Sequence, residues 1–240
     1  MSILVAQARA ELRLLARNGE QLLLTLGIPA LLLVFFSKVD VLPTGSGEPV
    51  DFLAPGVLAL AVMSTAMVGL GIATGFERSY GVLKRLGATP LRRWHLVVAK
   101  IVTILVVEVV QFVVLAVIAR VLGWRPGGGW GLVVLAVLLG SAAFAGIGLT
   151  LAGRLPGTVN LAAANGLYLV LLLLGGMVIT LDKLPGPLRA FAKGLPSGAL
   201  SEALRGAFGA AHHVPGSAWV VLAVWAVATP VAAAFTFRWE

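Results

Sequence analysis

The chain has no cysteine, and only 12% of its 240 residues are charged. The first absence excludes disulfides, thiolate metal sites and cysteine nucleophiles. The second excludes an ordinary soluble domain, in which roughly a quarter of the residues carry charge. Acidic residues are scarcer still, ten against eighteen basic ones. Of three histidines, His212 and His213 are adjacent but lack carboxylate or further histidine support, which is too little for a metal centre. No Gly-x-x-x-x-Gly-Lys-Ser/Thr run occurs, so no nucleotide-binding loop is expected; the nearest stretch, "TGSGEP", lacks the lysine and opens no helix. An integral membrane enzyme would need clustered polar or metal-binding residues near one membrane face. None are found, and no catalytic residue is assigned.

What fills the chain instead is apolar: 59% hydrophobic residues and a mean hydropathy of +1.00. A helix that crosses a bilayer needs roughly 20 mainly apolar residues. Six runs qualify, at about 21–37, 54–75, 96–119, 130–152, 160–181 and 217–236. The alternating ~10-residue segments of a membrane barrel are absent. The expected fold is therefore an all-α polytopic membrane protein with six spans in a single domain, 1–240.

The flanks carry the remaining information. In residues 1–20, Arg9, Arg13 and Arg17 recur every four positions and share one stripe of a helix, with Ile3, Leu4, Leu12 and Leu15 largely away from it. Such a helix either lies along the membrane surface or extends the first span. The small-residue stretch "AQARA" lies before the first apolar run, so no cleavable signal is expected. The formal charge of +8 comes from basic residues at the ends of apolar runs. It reads as membrane orientation, with no nucleic-acid partner. With both termini in the cytoplasm, the inner segments hold eleven basic and four acidic residues, the outer ones seven and five. That asymmetry places both ends of the chain on the cytoplasmic side.

One connector concentrates the positive charge. Residues 77–96, "ERSYGVLKRLGATPLRRWHL", hold Arg78, Lys84, Arg85, Arg92 and Arg93. A helix beginning near Glu77 and Ser79 can run about two turns to Leu86 before Gly87 and Pro90 stop it. Leu83 and Leu86 then share one face, and Lys84 and Arg85 point toward head groups or an acidic partner surface. A plain positive-inside anchor accounts for the charges but not for a helix with built-in stops.

The stretch 77–100 resembles the cytoplasmic loop after the second span in type-2 permeases of ATP-binding-cassette (ABC) transporters. Their pattern is Glu-Arg-Glu-x-Gly-Thr-Leu-x-x-Leu, then Thr-Pro, an aromatic residue and a lysine in the third span. Glu77, Arg78, Gly81, Leu83, Leu86, Thr89, Pro90, Trp94 and Lys100 fit it. Ser79 and Val82 depart from it, standing where an acid and a threonine are usual. Residues 184–208, "LPGPLRAFAKGLPSGALSEALRGAF", are similar to the paired short helices before that family's last span. The resemblance implies an N-terminal interface helix, a coupling element at 77–94 and a re-entrant helix pair at 184–210. It assigns ATPase coupling to Glu77, Arg78, Gly81, Leu83, Lys84, Arg85 and Leu86. It also implies a permease in the cell (inner or plasma) membrane that pairs with itself or a close paralogue. Two copies of a separate ABC ATPase subunit would drive it and carry the ATP and magnesium, while this chain holds no cofactor. Export of a drug, lipid or other amphipathic molecule is the function so implied.

Read from the residues alone, "PLRAFAKGL" and "SGALSEALRGAF" are helical, with Ser197 or Ser201 as a cap of the second and Gly209 as its end. The alternative to a re-entrant pair is a surface amphipathic segment; in either case Arg189, Lys193 and Arg205 are expected near outer head groups. Trp94, Trp124, Trp130, Trp219 and Trp239 fall at span ends, as interfacial anchors do. Glycines at 69, 71 and 75 and at 140 and 146 mark close helix packing.

Glu108 is the sharpest single residue. It lies at the middle of a span, in "VVEVVQFVV", where an ionisable group is costly and rarely faces lipid. Gln111 shares its face. Glu108, Gln111 and Asn165 are candidates for a substrate pathway. Alternatively, Glu108 hydrogen-bonds to Thr150, Asn160 or Asn165 on neighbouring helices. A proton-coupled secondary transporter that uses Glu108 is the competing function, weakened by the missing internal repeats and broken mid-membrane helices.

Overall fold

The computed structural model describes residues 3–17, 19–39, 48–89, 93–177, 180–210 and 212–236, and among these no strand occurs. The helices are α1 (Ile3–Arg17), α2 (Gly19–Lys38), α3 (Pro49–Met63), α4 (Leu70–Ser79), α5 (Val82–Gly87), α6 (Arg93–Val121), α7 (Trp130–Arg154), α8 (Gly157–Leu174), α9 (Gly186–Lys193), α10 (Pro196–Phe208) and α11 (Gly216–Thr236). A π-helical turn, Ser64–Gly69, joins α3 to α4, so residues 49–79 form one continuous rod.

Five helices are long and apolar enough to cross a bilayer: 49–79, 95–121, 130–154, 157–174 and 216–235. The expected first span falls on α2, a 20-residue helix whose apolar part includes Thr25–Lys38. Five helices of spanning length and α2 thus fall on the six expected runs.

The rod 49–79 is the axis of the bundle. Within its most apolar window 72% of residues are buried, against 22% in 157–174 and in 216–235. Its start follows local rules: Pro49 in the first turn needs no amide partner, and Asp51 faces the positive end of the helix dipole. The buried run Leu53–Met63 is apolar all round because neighbours surround it. α2 and α6 pack on one side, α7 and α10 on the other, and α8 lies against α4. α7 in turn packs most extensively on α11. Where the rod crosses α7, glycine is required: a Cβ on Gly148 would lie 2.5 Å from the Met67 carbonyl oxygen, and one on Gly71 would lie 3.1 Å from both Cα and O of Gly148. Such close backbone approach is how apolar helices associate where water gives no drive.

At 31 residues the rod is about 46 Å long. It is longer than a bilayer core is thick.

Candidate functional site

The connector departs from its expected course in one respect. Glu77 and Arg78 do not begin a helix; they end the long rod. Tyr80 leaves the helix with φ −87° and ψ 6°, and Gly81 adopts φ 68° and ψ 16°, a left-handed conformation that suits glycine. That residue makes the corner. α5 then runs for six residues, and its end is held by the Ala88 amide on the Arg85 carbonyl and the Thr89 hydroxyl on the Leu86 carbonyl at 2.6 Å. Leu83 is fully buried, Leu86 is half-buried, and Lys84 and Arg85 are exposed. The Arg85 guanidinium donates to the Tyr80 carbonyl at 3.3 Å. Pro90 and Arg92 lie outside the described residues, as do the side chains of Arg93 and Trp94.

The first two motif residues point inward. Lys100 of α6 is 2% exposed, and its Nζ lies 2.7 Å from Oε2 and 2.9 Å from Oε1 of Glu77. The same Nζ reaches Oε2 of Glu11 on α1 at 3.2 Å. Gln7 donates to the other oxygen of Glu11 at 2.9 Å. Lys100 is therefore the centre of an ion triad. Arg78 donates to the Ala152 carbonyl of α7 at 3.0 Å. Ser79 accepts from the Gly157 amide of α8 at 3.1 Å and donates back to the Gly75 carbonyl. Glu77, Arg78 and Ser79 thus tie the base of α5 to α1, α6, α7 and α8. Sequence reasoning missed Glu11, because nothing in the pattern pairs residues 89 positions apart.

The mid-bundle candidates separate. Glu108 is buried, and the Ser141 hydroxyl of α7 lies 2.5 Å from its Oε2. Its Oε1 has no partner among the described residues. Ser141 is the neighbour that the sequence did not single out. Thr150 instead bonds to the Gly146 carbonyl, and Asn160 donates to the Gly71 carbonyl at 2.8 Å. Gln111 shares the buried face of Glu108 but turns to the π-helical turn: it accepts from Thr65 at 3.0 Å and donates to the Thr25 carbonyl at 2.7 Å. Asn165 is exposed on α8 and bonds only within its own helix, to the Leu161 carbonyl. Glu108 and Gln111 lie on one face, while Asn165 lies elsewhere.

At the opposite end, α9 and α10 are present as two short helices, and Gly209 ends the second. Neither expected serine caps α10. Its N-cap is Leu195; Ser201 donates to the Gly176 carbonyl at 3.0 Å, and Ser197 is fully buried. Arg205 is half-buried rather than at a head-group surface. Its guanidinium donates to the carbonyls of Gly176 and Met177 and to Ser201, and it lies 4.3 Å over the Phe52 ring. Burial lowers its pKa to about 10, partly offset by Glu202, so it stays charged at neutral pH. Trp124 is also internal, packed edge-on to Phe208 at 4.8 Å, and is no interfacial anchor. No metal-binding cluster of His, Asp or Glu exists among the described residues.

A family model described as "ABC-2 type transporter" matches residues 4–208. A Bacillus subtilis (strain 168) protein named "Putative transport permease YvfS" is 26% identical over 208 residues, covering 82% of each chain.

Proposed function

Because the chain belongs to the ABC-2 type transporter family, we propose that it is the membrane subunit of an ATP-driven exporter of a drug, lipid or other amphipathic molecule. Two copies, or one with a close paralogue, pair in the cell membrane with their termini in the cytoplasm. Each docks on one of two ABC ATPase subunits, which bind the ATP and magnesium.

The observation that carries this reading is the split character of α5. Leu83 is fully buried while the neighbouring Lys84 and Arg85 are exposed. A helix anchored by one leucine and hung by a left-handed glycine has an inner face fixed to the bundle and an outer face free for an acidic surface. Its base is riveted by Glu77, Arg78 and Ser79 to four other helices. A push on α5 is therefore delivered to the bundle as a whole and is not absorbed by a loose loop. The lever suits the rigid-body motions that interconvert inward and outward openings.

The absence of cysteine makes the test clean. Lys84→Cys is expected to cross-link to the ATPase subunit in the purified complex. The same site should react with impermeant thiol reagents only from the cytoplasmic side. Labelling from the external side, or no cross-link in a complex that hydrolyses ATP, sinks the docking role. Glu108, with one carboxyl oxygen unpartnered among the described residues, favours a second reading as a proton-coupled carrier. Vesicles that hold this chain alone and transport on a proton gradient would establish that reading instead.

A further inference from the structure

A cavity of about 270 Å³ opens between α1, the long rod and α6, beside the ion triad. It is small for a ligand site but close to the usual range. Its chemistry divides. One end holds Glu11, Glu77 and Lys100, and the walls toward the bundle are mainly apolar, with Leu70, Ile104 and Val107 beside the hydroxyls of Thr25, Thr65 and Thr103. Phe76 and Tyr80 also line it, their rings stacked 6.0 Å apart and 20° from parallel.

We propose that this cavity binds a lipophilic organic monocation, a quaternary ammonium or protonated amine on a compact apolar body. Two carboxylates face a single ammonium, and among the described residues Lys100 is the one cation that lines the cavity. One lysine cannot neutralise both, and a half-buried carboxylate without full compensation is costly. A second positive charge completes the balance. The aromatic pair supplies ring faces that attract a diffuse cation, and the apolar walls accept its body. An inorganic cation would engage the carboxylates but leave the apolar walls and the ring pair without a partner. An organic anion would meet the surplus carboxylate. A zwitterionic phospholipid would bring its phosphate against the same carboxylates.

The inference deepens the transport reading by naming a substrate class, and it rests on that reading only for where the ligand goes next. Binding itself needs no ATPase. The test is calorimetric titration of the full chain in lipid nanodiscs with benzyltrimethylammonium and with the near-isosteric anion phenylmethanesulfonate. Saturable binding of the cation is expected, with the anion at least tenfold weaker. Ala73→Phe fills the cavity and should weaken cation binding at least tenfold, and Glu77→Gln should do the same. Tyr80→Leu alters a residue that is 69% exposed and tolerates change, and should cost about two- to fivefold by removing one ring face. Should Glu77→Gln fail to fold, Ala73→Phe and Tyr80→Leu still decide the matter. Equal binding of the two ions, indifference to Ala73→Phe, or a co-purified phospholipid that the cation does not displace overturns the proposal. Transport without cation binding sinks this inference alone. Cation binding without ATP-driven transport leaves it standing and removes the exporter reading.

Discussion

The two ends of the bundle use their cations in opposite ways. At one end Lys84 and Arg85 stand out from α5, exposed. At the other, Arg205 is drawn between α10, α3 and the turn after α8, where it donates to two backbone carbonyls and a serine. Residue type does not explain the contrast. The difference lies in which carbonyls each fold leaves unsatisfied. α8 stops at Leu174, and the left-handed Gly176 (φ 66°) turns the Gly176 and Met177 carbonyls toward α10. Ser201 serves the first of these carbonyls, and Arg205 donates to both. α5 satisfies its own end through Ala88 and Thr89, so its cations have no interior acceptor to seek. An arginine goes inside where a helix end calls it and stays outside where none does.

That contrast can be broken by substitution. Arg205→Met removes the donor and leaves the Met177 carbonyl unpaired, while Gly176 keeps the Ser201 hydroxyl, a loss of about 2 kcal/mol. It should show as a clear drop in the thermal midpoint of the purified protein. A loss no larger than that of Lys84→Met would mean that the two ends are equivalent. Reversing the outer charges, Lys84→Glu with Arg85→Glu, should leave the midpoint essentially unchanged, since exposed charges contribute little to stability. ATP-driven transport in reconstituted vesicles should nevertheless fall at least tenfold. A variant that transports normally would make α5 a mere anchor. The smallest effect is expected at Glu108→Gln, which retains a carbonyl oxygen for Ser141 and should shift stability by about 1 kcal/mol or less. Transport of some substrates should change while assembly persists; identical transport of every substrate tried would take Glu108 out of the pathway.

Much of this was legible beforehand, and the reasons are physical. Apolar runs long enough to cross a bilayer announce themselves by length alone, and Gly87 marks its own stop, whereas the corner at Gly81 went unread because the helix was expected to run from Glu77 to Leu86. The helices at 186–193 and 196–208 were readable from Pro187, Pro196 and Gly209, since proline and glycine act on their own local backbone. Capping by Ser197 or Ser201 was misread because a hydroxyl serves whichever acceptor is nearest, and for Ser201 that is Gly176, 25 positions away. Trp124 was misread for the same kind of reason: position at a span end says nothing about whether Phe208 stands beside it. The partners of Glu108 and Lys100 were invisible, because each lies on another helix and depends on rotation about two axes.

Hydrophobic length and residues that govern their own backbone were enough to read that this chain is built of apolar helices and that a short basic element follows the second long run. The folded bundle was needed to learn that Glu77 and Glu11 share Lys100, that Arg205 serves the turn after α8, and that a cavity lined by both carboxylates lies between α1, the long rod and α6. Such pairings join residues far apart in the chain. They are fixed by how helices cross, and the close approach of Gly71 to Gly148 is one of the contacts that sets those crossings.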